Sequence, residues 1–559
     1  MDDADDSEES QPDVDLASGV APILETHLRQ DDYQQVMHHT HPTTDTTALL
    51  GLRELDLSHA WPDSWLGIPF NRLLSWLSQA KDSVPLPPSN VAAVDLNTLS
   101  MKQRHAFDLI TDHMFGSCDG QQLLMVVLGM AGTGKSYLIN AVRHAFAQQS
   151  QSHRLRVTAP TGIAAANVSG STIYSLLSLL NENLSGPRLN FLQRALQDVR
   201  LIIIDEYSFL SIPVFDSLDR QLRKIFPSNA DRPFGGMNIV LCGDPAQLAP
   251  VRGQPVYATG SSDVPSPQRF HLFHTVVELN QPFRQTGTDP TQTRFRDLLA
   301  RVANCQALED DWLWLQTRRP ATLSPVENAA FDAKKHIVST NKTRNEINSE
   351  RLSHFTPIMN VVNDDDNLCD VAVDNANEDC LDHVGRQLYA VGAEVMLTAN
   401  LWTEAGLVNG SCGIVDDILK PTDSRAAHII MVSFPGYRGP PLSPSRPNVV
   451  PITQVRADNH KGMPLTLAWA VTIHKSQGMT LDHVTVDLGI SEFASGLTFV
   501  ALSRARSFSG LRIEPFDFSR FQRIENGRHV AARRAEFHCL RLLAASTELQ
   551  TPTAPSPYM

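Results

Sequence analysis

The 559-residue chain has no apolar run long enough to cross a membrane. The longest, near Leu123–Leu128, is far short of the roughly 20 residues that a membrane helix needs. The N-terminus has neither the basic start of a secretory signal nor the Arg-rich, acid-poor composition of a transit peptide; it opens Met-Asp-Asp-Ala-Asp-Asp. The seven cysteines (118, 242, 305, 369, 380, 412, 539) contain no C-x-x-C pair, so neither a zinc site nor a disulfide framework is expected. These absences point to an intracellular protein without a membrane partner. Net positive charge is lacking too, at −14 overall, which at first argues against a polyanionic ligand. Two segments, 2–15 and 364–382, carry sixteen acids and no Lys or Arg, so the remainder has a small positive balance. Local surface charge, not the total, decides whether a polyanion binds.

What is present is an ordinary globular composition, 42% hydrophobic and 19% charged. Residues 1–20 read as an acidic disordered tail, and 21–94 as an accessory region with Trp61, Trp65 and Trp76, closed by a Pro85-Leu-Pro-Pro linker. From 95 onward short apolar runs alternate with helical periodicity. Leu123–Leu128, Leu155–Thr158, Leu201–Asp205 and Asn238–Gly243 suit buried parallel strands. The pattern predicts an α/β domain over 95–283 and a second over 284–545, with strands at His336–Thr340 and Val484–Leu488. A small β-barrel is expected around 400–465, from the segments Glu394–Thr398, Gly413–Ile418 and His428–Phe434. An acidic loop is expected over 360–385 and a Pro-rich tail over 546–559.

Gly129-Met-Ala-Gly132-Thr133-Gly134-Lys135-Ser136 matches G-x-x-x-x-G-K-[ST] between a strand and a helix. Its backbone N–H groups would cradle phosphates, Lys135 would reach the β- and γ-phosphates, and the Ser136 hydroxyl would bind Mg²⁺. Four apolar residues carry Asp205 and Glu206 to the carboxyl edge of a strand, where ligands of open α/β sheets bind. Asp205 would hold Mg²⁺ through water, and Glu206 would orient or deprotonate the attacking water. The block Gly243-Asp244-Pro-Ala-Gln247 follows another buried strand, and Gln247 would sense the γ-phosphate. ATP with Mg²⁺ is the expected cofactor pair.

Five further blocks follow in order: Ala159-Pro-Thr161 to Thr172, Leu279-Asn-Gln-Pro-Phe-Arg284-Gln, Leu407-Val-Asn409-Gly-Ser-Cys-Gly413, Trp469 to Leu481 through His474-Lys475-Ser476-Gln-Gly, and Phe499 to Arg506 through Ser503-Arg504. Together with the phosphate loop and acid pair they resemble the superfamily-one DNA helicases of the petite-integration-frequency (PIF) type, over roughly 95–520. The resemblance implies two RecA-like P-loop domains with parallel sheets. It implies an ATP-dependent DNA helicase moving 5′-to-3′ on single-stranded DNA and unwinding forked DNA, with roles in repair, recombination and telomere maintenance. It assigns the transition-state charge to Arg284 and Arg504, and the adenine edge to Gln103. Strand contacts fall to Thr161, Thr172, Asn409, His474, Lys475 and Ser476; His474 also reads as a packed structural residue. Phe234 reads as a core side chain or a stacking platform.

The chain departs from the family in Tyr207-Ser208-Phe209 after the acid pair and in Pro245-Ala246 within the third block. Neither change removes a charge or Gln that the chemistry needs. Residues 21–90 also resemble the stretch before the helicase in Helitron-type transposon proteins. Two other readings stay open, an RNA helicase of the up-frameshift type and a non-catalytic DNA-binding transposon remnant. A monomer with unknown protein partners is expected, in the nucleus, with the mitochondrion as the other compartment.

Overall fold

Leu124–Gly129 is apolar throughout because it lies inside a sheet covered on both faces, where strands need no polar alternation. In the computed structural model it is strand β1. The structure describes residues 49–83, 94–116, 120–179, 184–250, 253–258, 269–285, 287, 289–362, 386–420, 428–457, 460–490, 492, 494, 496–525 and 530–550. The tail expected over 1–20, the linker 85–88 and residues 363–385 of the expected acidic loop lie outside them.

Five strands join β1: β2 (Leu155–Ala159), β3 (Ser171–Thr172), β4 (Leu201–Ile204), β5 (Asn238–Gly243) and β6 (Thr275–Leu279). The order is β3-β2-β4-β5-β1-β6, with every pairing parallel. The carboxyl ends of β4, β5 and β1 therefore lie side by side. Helix α1 (Met101–Phe115) starts at a Ser100 cap, and α2 (Lys135–Gln148) begins directly after the glycine-rich turn. Leu138, Ile139, Val142 and Phe146 of α2 bury one face against Met125, Val127 and Ile203 of the sheet. Two short helices follow, α3 (Gly162–Asn167) and α4 (Ile173–Leu177).

The second half begins with β7 (Lys335–Val338). It passes through β8 (Glu394–Leu397), β9 (Cys412–Leu419), β10 (Ile429–Ser433), β11 (Val449–Thr453) and β12 (Leu465–Leu467), and ends with β13 (Ala470–Thr472), β14 (Val484–Asp487) and β15 (Leu511–Ile513). β13-β7-β14-β15 form a second parallel sheet, so the expected fold class of two parallel α/β sheets holds. The expected barrel region forms a five-stranded antiparallel sheet, β11-β10-β9-β8-β12, whose two end strands do not pair with each other among the described residues. Residues 360–362, expected in the acidic loop, belong to a strand, Met359–Val362, paired with Arg386–Tyr389. Helix α5 (Leu497–Leu502) packs in the second core, and α6 (Val530–Gln550) closes the described chain.

Two long-range arrangements differ from the sequence expectation. First, α6 runs through Gln550, into the tail expected from 546, and its far end lies on the first sheet, not within the second domain. Leu540 and Ala544 enter the first core, Val276 N–H donates to Thr547 Oγ1 at 3.1 Å, and Arg541 pairs with Glu278 at 3.0 Å. At its near end Arg533 donates to the Ala303 carbonyl at 3.0 Å. A helix joining both halves has no local signature, since its partners are hundreds of residues away.

Second, residues 50–83 are built onto the antiparallel sheet. Trp65 and Leu73 pack with Leu419, Ile429 and Met431, while Leu77 and Ala80 pack in the core with Val395 and Leu401. Asp56 is the buried anchor. Its carboxylate accepts from Gly51 N–H (3.0 Å), Ile358 N–H (2.8 Å) and the Arg53 guanidinium (2.7 and 2.9 Å). Asp56→Ala removes the acceptor that these donors share. The expected cost is about 2–3 kcal/mol, read as an earlier urea transition followed by tryptophan fluorescence. An unchanged midpoint would refute the anchor role.

Candidate active site

The three adjacent strand ends deliver three groups of side chains to one place. After β1 the chain turns through Gly132 (φ +88°) and Gly134 (φ +82°), left-handed conformations that favour glycine. A side chain at Gly132 would also strike the next segment, since an added Cβ would lie 2.5 Å from Arg284 Cβ. Phe283 N–H donates to Gly132 O at 2.7 Å, so the segment bearing Arg284 is docked on the phosphate loop itself. Lys135 is buried, and its ammonium donates to Gly129 O at 2.6 Å.

After β4, Asp205 is 4% exposed, and its Oδ1 accepts from Glu206 N–H at 3.0 Å. Glu206 sits at φ +52°, ψ +45°, a conformation non-glycine residues adopt at a cost and one found at functional sites. Burial, then the neighbouring Glu206 carboxylate, lifts Asp205 to about 7, against the pull of Lys135. Burial also holds Glu206 above the ordinary carboxylate range, opposed by Lys135 and reinforced by Asp244. After β5, Gln247 is buried, its amide donating to Asp244 Oδ2 at 3.3 Å.

From the second half, Arg504 arrives just past α5. It is 1% exposed and fixed at three atoms: Nε to Val500 O (2.9 Å), Nη1 to Met479 O (3.3 Å) and Nη2 to Ser503 Oγ (2.8 Å). Burial and then Arg284 press its pKa down to about 9, while Glu206 and Asp244 hold it up, so it is a cation at neutral pH. Burial likewise lowers Arg284, with Glu206 opposing.

A cleft of about 550 Å³ joins these groups, lined by Gly132, Gly134, Lys135, Ser136, Asp205, Glu206, Gln247, Arg284 and Arg504. Buried Glu206 Oε2 and Arg284 Nη1 have no hydrogen-bond partner among the described residues. Orphaned buried polar atoms are costly. One acceptor and one donor left open in the same cleft fit a ligand with both a proton to give and negative charge to place. Phe283, Gly478, Thr480 and Arg506 also line it. All four lie within or beside the sequence blocks, but the motif chemistry gave them no role.

Other predicted residues do not line the cleft. Gln103 is 1% exposed and lines a different set of contacts. Its Oε1 accepts from Ser100 N–H at 2.9 Å, closing the cap of α1, and its Nε2 faces Thr133 O and Gly134 O at 3.4 and 3.2 Å. The carboxamide expected at an adenine edge lies in this structure against the phosphate loop. Gly129 and Thr133 support the turn, Thr133 Oγ1 donating to Met130 O at 2.9 Å.

Of the strand-contact candidates, Thr161 caps α3, its hydroxyl accepting from Ala164 N–H at 3.3 Å. Lys475 Nζ and Asn409 Oδ1 meet at 3.0 Å, and the Asn409–Gly410 turn abuts Ile163 of α3. Thr161, Asn409 and Lys475 are therefore gathered at one seam. Thr172 and Ser476 correct the sequence reading. Thr172 is buried as the cap of α4, and Ser476 is 0% exposed with its hydroxyl spent on Ile473 O at 2.8 Å. Both side chains are buried. His474 is half-buried, and burial lowers its pKa. Phe234 is fully buried against Phe215 and Phe273, with ring centroids at 5.4 and 5.8 Å, which makes it core.

Residues 98–310 match the PIF1-like helicase family. The ATP-dependent DNA helicase PIF1 of Danio rerio is 32% identical over 409 residues, which cover 70% of this chain and 58% of the relative. The chain thus spans somewhat over half the length of the curated relatives it matches. A structure of two coordinating Pif1 helicases at forked double-stranded DNA superposes with a TM-score of 0.58 at 25% identity, covering 80% of this chain and 98% of that one. A Bacteroides Pif1 helicase in complex with ADP-AlF3 and single-stranded DNA gives 0.54 at 25% identity, covering 76% and 94%.

Proposed function

We propose, from the match of residues 98–310 to the PIF1-like helicase family, that the protein is an ATP-dependent DNA helicase that translocates 5′-to-3′ on single-stranded DNA and unwinds forked duplexes. The observation that carries this reading is the single cleft in which Lys135, Asp205, Glu206 and Gln247 of the first sheet meet Arg284 and Arg504.

Phosphoryl transfer is mostly positioning and electrostatics. Lys135 and the loop amides hold the triphosphate. Ser136 and Asp205 suit Mg²⁺, which takes one or two protein oxygens and shares the nucleotide's phosphates. When bound, the ion would neutralise charge on the phosphate oxygens. Glu206, with its raised proton affinity and open Oε2, aims the attacking water and accepts its proton. Arg284 and Arg504 meet the charge that develops on the γ-phosphoryl group, and Gln247 reports its presence. Closure on ATP and release after hydrolysis shift the seam of Thr161, Asn409 and Lys475, which grips phosphates without reading bases.

The reading extends to a monomer acting in the nucleus on DNA repair, recombination and telomere intermediates. Among the described residues no helix is long and apolar enough to cross a membrane. Strand displacement on 5′-tailed and 3′-tailed duplexes, with and without ATP, tests activity and direction together. ATP-dependent displacement of the 5′-tailed duplex alone is expected. No displacement of either, or a preference for RNA in ATPase stimulation, would overturn the reading.

A further inference from the structure

We propose that Asp244 is a positioning residue that fastens Gln247 to the phosphate loop within a turn whose backbone abuts the start of α5, the helix that leads to Arg504, so that the γ-phosphate sensor and the loop move as one unit against it. The inference rests on the ATPase reading above and goes beyond it by giving Asp244 a role outside the cleft wall.

Asp244 is 1% exposed and is not among the residues that line the cleft. Its carboxylate accepts three hydrogen bonds from two separate segments. Oδ2 accepts from the phosphate-loop Ala131 N–H at 3.0 Å and from Gln247 Nε2 at 3.3 Å. Oδ1 accepts from Ala246 N–H at 3.0 Å. The Asp244 carbonyl then accepts from Gln247 N–H at 3.1 Å, closing the turn. One oxygen therefore ties the sensing side chain to the loop that carries Lys135.

The far side of the same turn meets the second half. Gly496 stands at φ +93° immediately before α5, and a Cβ there would lie 2.8 Å from Ala246 O and 3.0 Å from Gln247 O. Those atoms are backbone and cannot swing away, so the approach depends on glycine. Eight residues on, Arg504 enters the cleft. The turn 244–247 thus touches the phosphate loop on one side and Gly496, just before α5, on the other, with Asp244 as its internal tie.

The chemistry separates this role from mere turn formation. A carboxylate offers acceptors on both oxygens; an amide of the same shape offers one oxygen and presents N–H groups on the other side. In Asp244→Asn one of the three donors must face another donor. Turning the amide so that its oxygen serves Ala131 puts NH₂ against Ala246 N–H. The opposite turn puts NH₂ against Ala131 N–H and Gln247 Nε2. The volume of the turn is unchanged.

The test uses the full chain, with wild type, Asp244→Asn, Gln247→Ala and the double variant. A fluorescent ATP analogue with Mg²⁺ reads nucleotide affinity, DNA-stimulated ATPase reads kcat and KM, and thermal melting reads folding. For Asp244→Asn, kcat is expected to fall about 10²-fold, the scale of a small misplacement of a reacting group. Nucleotide affinity and melting temperature should stay near wild type. The double variant should be no slower than Gln247→Ala, since both changes cut the same connection. An unchanged kcat in Asp244→Asn, a kcat loss that merely tracks a fallen melting temperature, or losses that multiply in the double variant would each overturn the proposal. Wild-type protein without DNA-stimulated ATPase would instead overturn the functional reading beneath it.

Discussion

Lys135→Ala will abolish ATP hydrolysis and strand separation while leaving single-stranded DNA binding in place. Two losses coincide. The ammonium that would meet the β- and γ-phosphates disappears from a buried site where a charge interaction is far stronger than in water. The same ammonium also draws both Asp205 and Glu206 towards ionisation, so without it each carboxyl is pushed further up and is less often a base or a metal-facing anion at neutral pH. A fall of about 10³-fold or more in DNA-stimulated turnover is expected, on the scale of losing a preorganised charge partner. Fluorescence anisotropy on a labelled oligonucleotide should still register binding, because the proposed strand-contact seam at Thr161, Asn409 and Lys475 is untouched. Wild-type unwinding by this variant would remove the phosphate loop from the mechanism.

Arg504→Ala should keep nucleotide binding and lose hydrolysis, by roughly 10³–10⁵-fold, the range attributed to a delivered arginine in phosphoryl transfer. Arg504→Lys should not rescue it. Nε, Nη1 and Nη2 each hold a different partner, Val500 O, Met479 O and Ser503 Oγ, and a single ammonium cannot span that fork. Equilibrium binding of a non-hydrolysable ATP analogue beside steady-state turnover separates the two effects. Turnover within a few-fold of wild type, or full rescue by lysine, would leave Arg504 a structural residue.

Groups whose spacing is local were legible in the sequence. The phosphate loop, the acid pair after β4 and the turn after β5 each follow a strand whose apolar run marks it out, and strand ends of a parallel sheet converge by construction. Asn238–Gly243 was bounded to the residue, because an apolar run between turn signals is a self-contained pattern. The misreadings concern groups whose fate is set by distant partners. Ser476 and Thr172 have the right chemistry for a phosphate, but the fold spends one hydroxyl on Ile473 and the other on a helix cap. Gln103 was placed beside the phosphate loop by its motif, but its contacts with the Ser100 cap and the loop carbonyl come from the fold. Likewise nothing local in 50–83 announces that its tryptophans belong to the antiparallel sheet, or in 530–550 that the helix returns to β6.

The central claim is that one nucleotide is held between a lysine from the first sheet and an arginine from the second half. A structure of the full chain with Mg²⁺ and ADP–aluminium fluoride, the analogue of the transferring phosphoryl group, tests it directly. The fluoride group is expected at hydrogen-bond distance, about 3 Å, from Lys135, Gln247, Arg284 and Arg504 together. A trapped nucleotide contacted by Lys135 while Arg504 remains on its own carbonyl partners, out of reach, would contradict the account.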